Sequence, residues 1–384
     1  MKSKILLLDT SFSAKPIYDY LLTTDSEVFV LGGNTNDALA KSVNNYINID
    51  YSNVDEVESF IKKEEINYLV PGGNDFSYKI CSIINEQHNF YNIDSIEVNE
   101  IINNKNKFRK FALKNKLSIP PIISEKEIKI NLPVIIKPSD AYSGHGITVI
   151  YNDDYEIIKK AIQSAKEFSK SGTYIIEKFM EGQLFSHSAF ISEGKIIQDF
   201  IVEEQCIVNQ YAVDTSRVVY NFDEILLEKI RNEIQTLCSS LKLPDGLVHT
   251  QFISNDKNFW LIEVTRRCPG DLYSRLIEES TGFPYAEFYA KPFLDITNKI
   301  NDGELQNNNL IRHTITIDNA KSFNSFKLTK PIDNLEIVPL SVIGDKLKES
   351  PFGRIGVLFA NLNDTKEADI LFNDFINQRV YNIY

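Results

Sequence analysis

The chain has 384 residues, 43% of them hydrophobic and 24% charged, ordinary proportions for a globular protein with room for two or three domains. A formal charge of −12 argues against a nucleic-acid or acidic-membrane partner. Cys81, Cys206, Cys238 and Cys268 are widely spaced and form no CxxC pair, which fits reduced cytoplasmic thiols better than a disulfide frame or a zinc site. The apolar run before Asp9 is too short for a signal peptide, and no run approaches membrane-spanning length, so a cytoplasmic protein is expected.

Residues 5–8 read as a short buried strand, followed by helical spacing through Ile17, Tyr20 and Leu21. Strands at 28–31 and 68–70 end in Gly32-Gly33-Asn34 and Pro71-Gly72-Gly73-Asn74-Asp75, with a helical pattern at 54–61 between them. This alternation predicts a small parallel α/β domain over residues 1–100. Gly72 to Asp75 fits loop punctuation and a ligand loop about equally; Gly32 to Asn34 fits punctuation better. No GxGxxG follows the first strand, which counts against a dinucleotide site.

A helix is expected over 104–113, with Phe108, Phe111 and Ala112 on one side and Lys105 and Arg109 on another. A strand over 132–137 runs into the loop Ser139 to Gly146, and 147–150 resumes extended structure. Tyr155, Ile158, Ala161, Ile162, Ala165 and Phe168 have the spacing of an amphipathic helix. Residues 173–179 read as a strand, and Glu193-Gly194 joins two more as a hairpin. The longest helix is expected over 222–241, then strands at 247–253 and 259–265. A polar stretch after Leu294 suggests a boundary, leaving a mixed strand-and-helix tail.

The strand 259–265 and its continuation carry the most chemistry. Glu263, Thr265 and Arg267 alternate, so an extended chain puts a carboxylate, a hydroxyl and a guanidinium on one face. Trp260, Ile262 and Val264 are then expected to face the core, and the neighbouring Leu261, Ile262 and Val264 argue against a freely solvated Glu263. Gln251 on the preceding strand offers a hard oxygen that could share magnesium with Glu263. That pairing requires an odd-numbered loop such as Asp256-Lys257-Asn258; an even loop would put the two on opposite faces. Lys137 ends a buried strand before a Gly/Ser-rich loop suited to phosphates, although taken alone it fits an ordinary hairpin loop with a surface lysine better, and GxxxxGK[ST] is absent. Lys105 could be a second phosphate cation or one of a solvated basic run. Glu177-Lys178-Phe179-Met180 could offer backbone groups to adenine or simply end a strand.

In order, the helix with Lys105, then VIIKPSDAYSGHG, YIIEKFMEG and HTQFISNDKNFWLIEVTRRCPGD, resemble the ATP-grasp superfamily, nearest its carbamoyl-phosphate-synthetase-like carboxylate–amine ligase branch. The resemblance covers roughly residues 100–295. It implies an α/β (α+β) chain: a pre-ATP-grasp domain at 1–100, an ATP-grasp domain at 101–295 with a lid at roughly 118–175, and a C-terminal α+β subdomain at 296–384. It implies ATP held by Lys105, Lys137, Ser143, Gly144, His145, Gly146, Glu177, Lys178, Phe179 and Met180. Gln251, Glu263 and, more weakly, Thr265 become ligands for Mg2+, with Mn2+ as an alternative. Arg267 becomes a catalytic arginine, and Arg275 a second candidate for the substrate carboxylate. His249 and His187 fit neutral packed histidines better than general bases.

Three departures stand out. Threonine occupies position 265 where the family signature has asparagine, Gln251 stands where many members have a carboxylate, and Gln183-Leu184-Phe185 supplies no evident acidic ribose ligand. The implied reaction makes an amide from small-molecule carboxylate and amine substrates through an acyl phosphate, releasing ADP and phosphate. An ATP-dependent carboxylase and a non-catalytic ATP-binding sensor or partner subunit are the alternatives. No nucleic acid or membrane is expected as partner, and the family leaves room for a homodimer.

Overall fold

The computed structural model describes residues 2–141, 144–255, 257–300 and 303–384. Strands β1 (Ser3–Leu8), β2 (Ser26–Leu31), β3 (Tyr46–Ile47) and β4 (Tyr68–Pro71) form a parallel sheet in the order β3-β2-β1-β4. Helices α1 (Lys15–Thr23), α2 (Ala38–Ser42), α3 (Val54–Glu64) and α4 (Asp75–Asn85) connect or follow them. Ile5 to Leu8 are fully buried, as a central parallel strand covered on both faces requires. The loops at the carboxyl ends of β1 and β4 meet: Gly73 N–H donates to the Asp9 carboxylate at 2.9 Å, and a Cβ on Gly72 would lie 2.1 Å from Asp9 Cβ. The paired glycines therefore allow two loops to touch. Asn74 caps α4 by accepting from Ser77 N–H, which sets Asp75 in the helix's first turn.

Helices α5 (Ile96–Asn103) and α6 (Lys105–Lys114) lead to an antiparallel sheet of β5 (Val134–Pro138), β6 (Thr148–Ile150) and β7 (Tyr174–Lys178), in the order β6-β5-β7. Helix α7 (Tyr155–Phe168) is capped by Asp154 and lays Ala161 and Ala165 against Val134, Ile136, Ile150 and Ile176.

The largest sheet contains β8 (Gln183–Ser192), β9 (Lys195–Gln205), β10 (Thr215–Val218), β11 (Gly246–Ser254) and β12 (Phe259–Thr265). Glu193 and Gly194 both have positive φ, 51° and 73°, closing the β8–β9 hairpin as a tight two-residue turn. Helix α8 (Glu224–Leu241) places Leu226, Ile230, Ile234 and Leu237 over Ala189, Val248, Phe252 and Leu261. Helices α9 (Tyr273–Thr281) and α10 (Tyr285–Ala290) follow. The tail adds β13 (Asn309–Thr316), β14 (Lys321–Ser322), β15 (Phe326–Leu328), β16 (Leu335–Pro339), β17 (Lys346–Leu347), β18 (Arg354–Leu362), α11 (Thr365–Ile376) and β19 (Tyr381–Ile383). Strands β13, β18 and β16 extend the large sheet, giving β12-β11-β8-β9-β10-β13-β18-β16. Residues after 296 are thus joined to the earlier strands by backbone pairing between β10 and β13. Among the described residues, no helix is long and apolar enough to cross a membrane.

The β11–β12 hairpin departs from the expected parity. Ser254 pairs with Phe259, so four residues join the strands, an even number. A regular ladder would then set Glu263 opposite Thr250. The register instead shifts between Gln251 and Phe252, making Ile262 the extra residue of a β-bulge, and Gln251 pairs directly with Glu263. The bulge also reverses which residues face inward. Phe259 and Leu261 are buried before it and Val264 after it, whereas Trp260 and Ile262 are only half-buried. Of the three residues expected in the core, Val264 alone is fully buried.

Candidate active site

A cleft of about 530 Å³ opens where the lid sheet, α6 and the large sheet meet. Lys105, Lys137, Gln251, Glu263 and Arg267 all line it. Lys105 begins α6 just after its cap, Asn104, whose side chain accepts from Lys107 N–H; its Nζ donates to Ala141 O at 3.1 Å. Lys137 comes from near the end of β5, buried, with its Nζ 2.6 Å from a Glu177 carboxylate oxygen. Glu177 sits one strand away on β7, opposite Ile135, and also pairs with Arg109. Burial alone would raise the Glu177 carboxyl, but Arg109 and Lys137 together outweigh it and hold it down at about 2. Burial first, with Arg109 and Lys105, lowers the Lys137 ammonium against the pull of Glu177.

Arg109 does not share a solvated face with Lys105. It is 1% exposed, and besides Glu177 it donates to Ile262 O at 2.9 Å. It therefore ties α6 to β7 and to the bulge of β12. Its position three residues before Ala112 on a helix was the available signal, since a buried arginine needs a buried acid.

The Glu177–Met180 segment lines the cleft, with several of its polar groups bonded within the protein. Lys178 and Phe179 N–H donate to Pro121 O and Pro133 O, and Lys178 Nζ donates to Asn131 O and Leu132 O. Glu177 is thus the anchor of Lys137, with its side chain committed inside the protein. In the lid, Gly144 and Gly146 take φ of 73° and 67°. A Cβ on Gly144 would lie 2.5 Å from Tyr211 Cβ, so the loop seats directly on the segment after β9. The His145 ring contacts Phe168 and Phe352, with centroids 5.7 and 4.9 Å apart. Ser143 lies outside the described residues.

Glu263 is exposed at the cleft rather than sheltered by its neighbours. Thr265 is 7% exposed, and its hydroxyl donates to Asp75 at 3.0 Å, so it braces Asp75 instead of facing a metal. Arg267 makes two bonds to the same Asp75 carboxylate, Nε to Oδ1 at 2.9 Å and Nη2 to Oδ2 at 3.1 Å. Burial would raise Asp75, yet Arg267 and Thr265 carry it below the usual carboxylate range. The Gly72–Asp75 loop is thereby part of the site, and Gly32-Gly33 is not among its lining.

A second cavity adjoins the first and shares Glu204, Gln251, Glu263, Arg267, Asp271 and Arg354 with it. Glu204 is 4% exposed on β9, on the same face as the buried Phe200 and Val202. Its carboxyl is raised, by burial first and by Glu263, against the pull of Ser186, Gln251 and Arg312. Arg312 enters from β13, buried, donating to Asp271 O and to the Ser216 and Thr314 hydroxyls. Glu204 and Arg312 escaped the sequence reading, although each is a charge within an otherwise buried strand face. His249 is buried in this second cavity with Nδ1 2.9 Å from the Ser188 hydroxyl; burial and Arg267 push its pKa well below 6.5. His187 is fully buried and pairs with Asp199 on the other side of the sheet from this cleft, against Arg231.

Arg275 is not part of either cavity's lining. It pairs with Glu279 and with Glu336 of β16 and lies 4.4 Å from the Phe359 ring centroid. The reason is local: Asp271 and Leu272 take left-handed backbone, φ 56° and 58°, and α9 starts only at Tyr273. The helix face carrying Arg275 is therefore turned to the tail of the chain.

The ATP-grasp domain family pattern matches residues 130–274, the stretch that supplies β5, the lid loop and the β11–β12 floor. Residues 130–274 thus match an ATP-grasp domain. The chain is 23% identical over 195 residues to the carbamoyl phosphate synthase large chain, C-terminal section, of Aquifex aeolicus, covering 48% of this chain and 35% of that relative. The ATP-grasp fold extends across the whole chain by structure. The L-amino acid ligase from Bacillus licheniformis superposes with a TM-score of 0.78 at 14% identity, covering 100% of this chain and 98% of that one. The biotin carboxylase domain of Hydrogenobacter thermophilus 2-oxoglutarate carboxylase, solved with MgADP and bicarbonate, superposes with a TM-score of 0.78 at 13% identity over 100% and 91%. ATP is the ligand of such a domain. The hard oxygens of Glu263 and Gln251 suit magnesium, and among the described residues no cluster of three His, Cys, Asp or Glu side chains forms a complete cage. Nucleotide phosphates and water would have to complete the shell.

Proposed function

We propose that this chain is an ATP-dependent carbon–nitrogen ligase that joins a small-molecule carboxylate to an amine through an acyl phosphate. One observation carries it: Lys105, Lys137, Gln251, Glu263 and Arg267, from four separate segments, line a single cleft continuous with a second, arginine-bearing cavity. A carboxylate oxygen attacks the γ-phosphorus, the bond to the β,γ-bridging oxygen breaks, and ADP leaves. The amine nitrogen then attacks the acyl carbon, phosphate departs, and the nitrogen loses a proton to give the amide. Lys105 and Lys137 neutralise the transferring phosphoryl group, while Arg267 and Arg312 orient the substrate carboxylate. Glu263 and Gln251 would hold magnesium, which would supply further charge neutralisation at the phosphates. The lid loop around Gly144 and Gly146 excludes water that would hydrolyse the intermediate.

The test is phosphate release from purified protein with ATP and Mg2+ across a matrix of carboxylates and amines. The expected result is release that requires both partners. Lys137→Ala or Glu263→Ala should reduce it on the order of 100-fold, because either removes preorganised charge stabilisation. Release driven by bicarbonate without an amine would make the chain a carboxylase. Nucleotide binding without any substrate-stimulated release would make it a sensor or partner subunit.

A further inference from the structure

Gln251 lies between two carboxylates. Its Nε2 donates to Glu204 Oε2 at 2.7 Å, and its cross-strand partner is Glu263. An amide carries its donor and its acceptor on one planar carbon, so fixing one branch fixes the other. With Nε2 bound to Glu204, Oε1 is the branch left for the cleft, where Glu263 also presents oxygen. Two hard oxygens on one face of paired strands suit a shared cation. The reversed amide would set Oε1 against the Glu204 carboxylate, two acceptors at hydrogen-bond distance.

We infer that Glu204 is the positioning residue of the metal floor: it fixes the Gln251 amide so that the carbonyl oxygen, beside Glu263, faces the magnesium of the nucleotide complex. The inference rests on the ATP–metal reading above and adds to it a role for Glu204. It also explains why glutamine stands at 251. A glutamate there would face Glu204 carboxylate to carboxylate, in a position where Glu204 is 4% exposed and cannot shed the repulsion into water. The pair is therefore one unit with two workable forms, acid at 204 with amide at 251, or the reverse. Thr265, bound to Asp75, takes no part in it.

The test is Mn2+ affinity, read as free Mn2+ by electron paramagnetic resonance, for the full chain with a non-hydrolysable ATP analogue. Glu204→Ala should weaken Mn2+ binding by about 10- to 100-fold, the usual consequence of removing a group that orients a ligand. Glu204→Gln should stay close to wild type, because its amide oxygen still accepts from Gln251. Gln251→Glu alone should bind weakly, and the exchanged pair Glu204→Gln with Gln251→Glu should recover. Unchanged affinity in Glu204→Ala, or an exchanged pair no better than Gln251→Glu, overturns the inference. If Glu204→Ala melts early without metal or nucleotide, the exchanged pair against Gln251→Glu decides. Wild-type protein that binds neither Mn2+ nor the analogue would instead refute the nucleotide reading itself.

Discussion

Arg109 shows how a residue that reads as solvated in a sequence can be central in a structure. It stands in a run of lysines, which suggests a solvated helix face, yet it is 1% exposed and clamps Glu177 beside Lys137. Its guanidinium lets one buried carboxylate hold the cleft-lining Lys137 in place while staying ionised. Arg109→Leu should cost about 3–5 kcal/mol in urea unfolding, since it strands most of a buried charge. Because Glu177→Leu also strands Lys137, the double variant Arg109→Leu with Glu177→Leu should lose less than the sum of the two single variants; additive losses would show that the pair is not the source. The residues named from motif order (Lys105, Lys137, Gln251, Glu263, Arg267) do share one cleft, because each sits at a strand or helix end whose pattern was plain. Glu204, Arg312 and Asp75 were not legible as partners, because their meaning depends on contacts across 41 to 192 residues of chain.

At the level of elements, strands and helices were legible wherever apolar spacing repeated, as in α7, α8 and the β8–β9 hairpin. The β11–β12 hairpin was legible as a pairing and misleading as a register. Counting loop residues gives parity only for a regular ladder, and no local feature of Leu261-Ile262-Glu263 announces a bulge. The bulge is held from outside, by the Arg109 bond to Ile262 O. Arg275 failed for a related reason: the left-handed residues Asp271 and Leu272 rotate the start of α9. The lid offers a sharper test of an element. Gly144 has φ 73° and no room for a Cβ beside Tyr211. Gly144→Ala should disfavour the seated loop by about 1–3 kcal/mol, the usual strain of such backbone in a non-glycine residue. On the proposed ligase reaction, the expected signature is a raised KM for ATP and more ATP hydrolysis per amide formed, with an unchanged melting temperature. Coupling equal to wild type would mean that the loop does not guard the intermediate.

For the whole molecule, the large sheet runs from the β11–β12 hairpin into the tail without interruption, and its far half carries a pH dependence. His313 on β13 is 3% exposed, between the hydroxyls of Thr215 and Tyr381, each 2.7 Å away. Burial, then Arg312, lowers its pKa from 6.5 to about 3. Between those values the unfolded chain binds a proton that the folded chain refuses, so stability falls as pH falls, by about 1.4 kcal/mol per pH unit. Comparing His313→Asn with wild type isolates this share. The stability gap between them should narrow from pH 7 to pH 5 in urea unfolding, and a constant gap would contradict it. The same sheet also sets an order of assembly. Strand β10 pairs on one side with β9 and on the other with β13, which is made about a hundred residues later on the ribosome. Until β13 arrives, β10 is an open edge, and the nucleotide-binding half has its floor but not its far wall or Arg312. Completion of this ATP site is therefore a late event in synthesis, governed by a long-range pairing and not by the local hairpins that form first.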